Sequence, residues 1–259
     1  MDLALQEKVV IITGGASGIG RETARQMARE GARLIIADRD TDNIESVLEE
    51  LRDLGGTAEA FKLDVRDYEN CQQLAAFART TFGAVHVLVA SAGVMENSFF
   101  LDSKPDAWDP VIGINVLGLL NVNHAIAPIM VEQNSGSIIN VASEVAKVGE
   151  KRMAVYAASK GAVVSFTKAF SLEMGRFNVR VNAICPAITM TPMTTAAFGG
   201  ISEAERLTHP HYLAATKLYP LGRLGDPEDI AAMITFLASP QSSWTTGQAI
   251  SVNGGFGRS

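Results

Sequence analysis

Cysteine is scarce in this chain. Cys71 and Cys185 are the only two among 259 residues, and they stand far apart. So sparse a set gives neither a disulfide framework nor the paired spacing of a zinc site, and a reducing cytoplasm is the expected compartment. A basic excess is missing too. With 22 Lys and Arg against 28 Asp and Glu the formal charge is −6, which argues against nucleic acid as a partner. The opening MDLALQEK carries acids and no long apolar core, unlike a signal peptide. The longest apolar stretch, 111–131, contains Asn115, Asn121, Asn123, His124 and Pro128; these are costly in lipid, so it reads as a buried helix and no membrane partner is expected. No repeat, low-complexity tract or Pro/Gly linker divides the chain, so residues 1–259 read as a single domain.

What is present is alternation. Apolar runs at 9–12, 33–37, 58–63, 85–90, 137–141, 179–184 and 249–252 have the length and continuity of strands buried on both faces. Helical patterns fill the gaps. Gly31, Gly55 and Gly83 stand where helix C-termini favour a left-handed residue. Asp42 with Glu45 resembles a capping box, and Asp226-Pro227-Glu228 sets an N-cap acid before proline. Such alternation predicts an α/β doubly wound (Rossmann) fold of about seven parallel strands with helices on both faces. The stretch 189–218 has no strand pattern and reads as a substrate-binding lid inserted in that fold.

The first strand runs into Thr13-Gly14-Gly15-Ala16-Ser17-Gly18-Ile19-Gly20, with a helix after it. Glycines there let a pyrophosphate approach the backbone at a helix N-terminus, although the spacing is not that of the general dinucleotide fingerprint and a tight structural turn would look the same. Asp38, 18 residues after Gly20, ends the second strand. A carboxylate at that place accepts from ribose hydroxyls and repels a 2′-phosphate, which points to NAD rather than NADP. Arg39 follows it and reads as a solvated charge.

Ser143 lies just past the fifth strand, thirteen residues before Tyr156, and Lys160 is four residues beyond Tyr156. On a helix the phenol and the ammonium share a face. A tyrosine is a weak base at neutral pH, and an ammonium beside it favours the phenolate. The set suits transfer of a hydroxyl proton while hydride leaves carbon, with Ser143 holding the substrate oxygen.

These motifs together resemble the short-chain dehydrogenase/reductase family in its compact single-domain branch, along nearly the whole chain. The matching positions are Thr13-Gly14-x-x-x-Gly18-x-Gly20, Asp38, Asp64-Val65, Ala92-Gly93, Asn115, Ser143, Tyr156-x-x-x-Lys160, the 186–191 segment and Gly254-Gly255. The resemblance implies a catalytic tetrad of Asn115, Ser143, Tyr156 and Lys160, with Tyr156 as general acid/base and Asn115 helping to hold a proton-relaying water. It implies cofactor contacts from Gly14, Ser17, Gly18, Ile19, Gly20, Asp38 and Arg39. Asp64 and Val65 would flank the adenine, and Ala90, Ala92, Gly93 and Pro186 would line the same path. Tyr156, Lys160, Thr189 and Thr191 would hold the nicotinamide end. Val94, Met95, Ser143, Val145, Ala187 and Met190 would form the substrate pocket. A homotetramer is implied through the helices around 106–131 and 154–176 and the C-terminal strand.

Three positions depart from the family pattern. Ala90-Ser91 stands where Asn-Asn is usual, Ala187 where glycine is usual after the proline, and Asn253 where an aspartate usually precedes Gly254. The expected activity is NAD-dependent interconversion of a secondary alcohol, cyclic, aromatic or medium aliphatic, with its ketone. The alternatives are a 3-oxoacyl-thioester or other anionic-substrate reductase, and a non-catalytic NAD-binding regulator. An epimerase would need an extra domain, and in the family's enoyl reductases the tyrosine and lysine are seven apart. Lys147, Lys151 and Arg152 read either as a solvated rim or as an anchor for an anionic substrate. No metal site is expected: His209 and His211 have no spaced partner, His86 and His124 read as structural, and Trp108 and Trp244 as packing.

Overall fold

The apolar runs become one sheet. The computed structural model describes residues 2–257 except 198, 203, 204, 206 and 207. The first half of the chain runs β1 (Val9–Thr13), α1 (Gly18–Arg29), β2 (Arg33–Asp38), α2 (Thr41–Asp53), β3 (Thr57–Lys62), α3 (Tyr68–Phe82) and β4 (Val87–Ala90). Then come α4 (Trp108–Ile112), a π-helical turn over Gly113–Gly118, α5 (Leu119–Gln133), β5 (Gly136–Val141), α6 (Val145–Val148), α7 (Ala154–Met174) and β6 (Val179–Pro186). The last part contains α8 (Pro192–Ala197), α9 (Pro210–Thr216), α10 (Pro227–Ala238) and β7 (Ala249–Val252).

All seven strands pair in parallel in the order β3-β2-β1-β4-β5-β6-β7. Alternate residues of each central strand feed opposite layers. Ile11 and Ile35 join Leu74, Val122 and Val163 beneath α3, α5 and α7, whereas Val10, Ile12, Leu34 and Ile36 join Met27, Val47 and Ile234 beneath α1, α2 and α10. Burial on both faces explains why the strand sequences read as continuous apolar runs. The chain builds outward from β1 to β3, then returns to place β4 on the other side of β1. That reversal opens a crevice at the carboxyl ends of β1 and β4.

Helix ends follow local chemistry. Gly83 caps α3 at φ 77°, and Gly31 and Gly55 take the same left-handed turn after α1 and α2. The cap of α2 lies two residues earlier than the sequence suggests: Asp40, not Asp42, accepts from the Asn43 N–H. Asp226 caps α10 as expected, and its own N–H donates to the Asp229 carboxylate at 2.9 Å. The helix anticipated around 106–131 is real but interrupted by the π turn. One helical span among the described residues, Pro105–Gln133, is long and apolar enough to cross a membrane, and its most apolar window is 56% buried inside the protein.

The segment 189–218 carries two short helices, α8 and α9, joined to the body where Thr189 bridges Gly225. Its positions 198, 203, 204, 206 and 207 lie outside the described residues, as do 1, 258 and 259 of the expected domain. Met190, Ile201, Tyr212, Tyr219 and Leu224 give it a small core of its own. Trp108 packs on Phe100 and donates its indole N–H to Ser103. Trp244, expected to pack, is instead fully exposed. His86 Nδ1 accepts from the Val9 N–H, and His124 Nδ1 lies 2.7 Å from the Tyr68 hydroxyl, so both imidazoles serve local structure.

Candidate active site

The loop between β1 and α1 forms one wall of the crevice. Gly14 has φ 67°, and a Cβ there would lie 2.7 Å from the Ala92 nitrogen. Only glycine lets this loop approach the end of β4 so closely. A Cβ on Gly18 would press on Thr191 at 3.2 Å, so the loop also touches the segment after β6. The first turn of α1 carries no acid to neutralise its N–H groups. Asp38 at the end of β2 points back into the loop: Oδ2 accepts from the Ala16 N–H at 3.1 Å and Oδ1 from the Asp40 N–H at 3.2 Å.

A cleft of about 330 Å³ runs from this wall across the sheet. Asp38, Arg39, Asp64 and Val65 line one end, and Ser143, Tyr156, Lys160 and Ala187 the other. Between them lie Gly14, Ser17, Gly18, Ile19, Ala92, Gly93, Val94, Pro186, Thr189 and Thr191. Asp64 is held below the ordinary carboxylate range by hydrogen bonds from the Arg66 side chain, at 2.6 Å, and from its backbone.

At the far end β5 delivers Ser143 and α7 delivers Tyr156 and Lys160. Lys160 is buried, and its Nζ donates to the Val141 carbonyl at 2.8 Å and stands 5.9 Å from the Tyr156 ring centre. Burial pushes the Tyr156 phenol up to about 12, with the Ser143 side chain pulling the other way. Burial also pushes Lys160 down to about 8, against a weak opposing pull from Cys185. The expectation that the ammonium beside the phenol lowers its pKa therefore needs correction. Desolvation of the buried phenol dominates, and the lysine's hydrogen bond goes to Val141 and not to the phenol.

Asn115 sits in the π turn, behind the cleft. Its Oδ1 accepts from the Val94 N–H at 2.9 Å; its Nδ2 donates to the Val94 carbonyl at 2.8 Å and to the Ser159 hydroxyl at 3.0 Å. The side chain braces the loop after β4 against α7.

Several other expected contacts fall outside the lining. Gly20 serves packing, since a Cβ there would collide with the Gly14 carbonyl. Ala90 is buried within β4, Val145 starts α6 beneath the floor, and Met190 is buried in the small core of the 189–218 segment. Met95 is partly buried but does not reach the cleft. Lys147 turns away to β7, where its Nζ donates to the Ala249 carbonyl. Lys151 and Arg152 each stand 5.4 Å from the Phe99 ring centre, outside the cleft lining. Two departures from the family pattern are absorbed. Ala187 has no positive φ, so glycine is not needed there, and Asn253 accepts from the Gly255 N–H while donating to the Gly257 carbonyl. Among the described residues no group of His, Cys, Asp and Glu is placed to hold a metal ion.

Sequence reasoning missed Asn43, Ser91 and Thr194 in the lining. The Thr194 hydroxyl donates to the Thr189 carbonyl and accepts from the Thr191 N–H, so it staples the two threonines that were foreseen. Asn43 was findable as the fifth residue after Asp38, one turn into α2.

Residues 14–257 match a protein-family profile described as enoyl-(acyl carrier protein) reductase. The chain is 38% identical over 253 residues to the 3-oxoacyl-[acyl-carrier-protein] reductase FabG of Thermotoga maritima, covering 98% of this chain and 99% of that one. It is 33% identical over 251 residues to the 2,3-dihydro-2,3-dihydroxybenzoate dehydrogenase of Bacillus subtilis, covering 97% and 96%. A crystal structure of a short-chain type dehydrogenase/reductase from Mycobacterium marinum shares its fold at TM-score 0.90 and 29% identity, over 98% of this chain and 97% of the other.

Proposed function

The chain belongs to the short-chain dehydrogenase/reductase family, and from that premise we propose that it interconverts a secondary alcohol and its ketone with NAD as the hydride carrier. The observation that carries this reading is the meeting of Ser143, Tyr156 and Lys160 in the same cleft as the glycine loop and Asp38. The residues present fit a dinucleotide. Gly14 and Gly18 let the loop lie close against Ala92 and Thr191 while lining the cleft, and the α1 N-terminus, with no acid in its first turn, opens there through Ser17, Gly18 and Ile19. Asp38 supports NAD, because a carboxylate at the end of β2 repels a 2′-phosphate. Thr189 and Thr191 would orient the nicotinamide end, and Asp64 and Val65 the adenine end.

When bound, the nicotinamide supplies or accepts the hydride. The protein's own part is proton handling and placement. Tyr156, with its proton held up to about 12, is the acid that protonates the developing alkoxide when a ketone is reduced. In the reverse direction its ionised form takes the hydroxyl proton. Ser143 would donate a hydrogen bond to the substrate oxygen and hold it in line. Lys160 carries its charge beneath the phenol, and Asn115 fixes the loop at Val94 that walls the pocket. Val94, Ala187 and Met193 give that pocket an apolar lining suited to a cyclic or medium aliphatic carbinol, with 189–218 as its lid.

A second reading, reduction of a 3-oxoacyl thioester, is favoured by the likeness to the Thermotoga maritima reductase. The cation cluster does not strengthen it, since Lys147 faces β7 and Lys151 and Arg152 pack on Phe99. The enoyl chemistry in the family profile's description is disfavoured by the four-residue step from Tyr156 to Lys160. The reading is tested by Tyr156→Phe. Turnover should fall by about two to four orders of magnitude, with NADH binding, followed by its fluorescence, unchanged. Full-speed turnover of this variant would remove Tyr156 as the acid.

A further inference from the structure

Ser143 is held less by its own side chain than by its neighbour. Its hydroxyl makes only long contacts to the backbone, 3.5 Å to the Pro186 carbonyl and 3.4 Å from the Val145 N–H, and its side chain otherwise meets the Tyr156 phenol. The backbone on either side is tied more firmly: the Ala142 N–H reaches the Ile184 carbonyl, and the Glu144 N–H the Pro186 carbonyl, both at 2.8 Å.

Glu144 is a carboxylic residue only 1% exposed. A carboxylate buried this deeply needs partners. Its Oε2 accepts from the Ser251 hydroxyl at 2.7 Å. The same hydroxyl oxygen accepts from Lys147 Nζ at 2.8 Å, and that ammonium also donates to the Ala249 carbonyl at 2.8 Å. Ser251 thus uses its proton on an acid and its lone pair on a base, and the orientation of the hydroxyl is fixed by both. On β7, Ser251 pairs with Cys185 and Val252 with Pro186, so the bridge lies directly under the strand end that floors the cleft. The other oxygen, Oε1, is buried without a hydrogen-bond partner among the described residues and lies where a Cβ on Gly257 would strike it.

We infer that Glu144, Ser251 and Lys147 form a hydroxyl-bridged charge pair that clamps the residue after Ser143 to the C-terminal strand, and that these three are positioning residues for the Ser143 hydroxyl. The inference rests on the reaction proposed above. No other amino acid but threonine offers an aliphatic hydroxyl that both donates and accepts at this point. Without it the acid and the ammonium lose their shared partner, and residue 144 shifts with the strand end it anchors. Displacements of an ångström at a reacting group cost rate far more than they cost ligand binding.

The test compares Ser251→Ala with Ser251→Thr. The alanine variant should lose kcat by about 10- to 100-fold, with NADH affinity within about twofold of wild type, and the threonine variant should recover most of the loss. Unchanged kcat in Ser251→Ala overturns the inference. So does a loss of kcat that tracks an equal loss of cofactor binding and is not restored by threonine. Should the alanine variant fail to fold, Gly257→Ala probes the clamp from the tail side: the same selective loss of kcat supports it, and wild-type kcat overturns it. If the wild-type protein turns over no alcohol or ketone, the reaction assignment fails instead. The clamp is then read from a crystal structure of Ser251→Ala, where an unmoved Ser143 overturns it.

Discussion

Proton position at Tyr156 and Lys160 sets the expected pH behaviour. Burial disfavours charge on both groups, so the phenol keeps its proton up to about 12 and the lysine sheds its own near 8. Alcohol oxidation requires the ionised phenol, whose fraction grows with pH. Oxidative kcat/KM should therefore climb from neutrality and rise less steeply above about 8, where Lys160 sheds the charge that favours the phenolate, while ketone reduction stays level at low pH, where the phenol is already protonated. A steady-state profile showing oxidation flat above neutral pH would contradict this assignment. Residues whose placement follows from chemical type and spacing were legible in the sequence: Asp38 at a strand end, and Tyr156 and Lys160 one turn apart, all line the one cleft. Residues whose role depends on which neighbour is nearer were not. Lys147 looked like a rim cation, yet Ser251, distant in sequence, captures it. Gly20 looked like a phosphate contact, yet its missing side chain makes room for the Gly14 carbonyl.

Strands and glycine caps were legible because each reflects a local constraint. A strand buried on both faces must be apolar throughout, and a chain that turns left-handed after a helix favours glycine. Interruptions inside a helix have no such signature. Nothing in Gly113-Ile114-Asn115-Val116-Leu117-Gly118 announces a π turn; it forms where Asn115 makes three hydrogen bonds to Val94 and Ser159 and where Gly118 packs against Val65. The outward faces of the same helices carry apolar groups that the chain itself leaves uncovered. Leu117 and Leu120 lie there on the π turn and α5, and Leu172 on α7 is 84% exposed. Faces of this kind invite burial against another copy. Light scattering should return a multiple of 27.6 kDa, with four chains expected from the family resemblance. A single-chain mass would contradict this.

On the scale of the whole molecule, the site is a consequence of topology. The chain reverses its direction of sheet growth between β3 and β4, and the crevice this opens gathers the glycine loop from one half and the Ser143–Lys160 group from the other. The alternation of strands and helices made that crevice foreseeable. What fills its outer end was not, because the pocket wall comes partly from 189–218, whose contacts are set by its own small core around Met190 and Tyr212. The proposed reading puts substrate choice in that wall and cofactor choice in Asp38. Both are read at once by following NADH or NADPH formation across a panel of secondary alcohols, with NAD and NADP in parallel. The account predicts turnover of a cyclic or medium-chain carbinol with NAD clearly ahead; a preference for NADP, or no turnover of any carbinol or matching ketone with either cofactor, would contradict it.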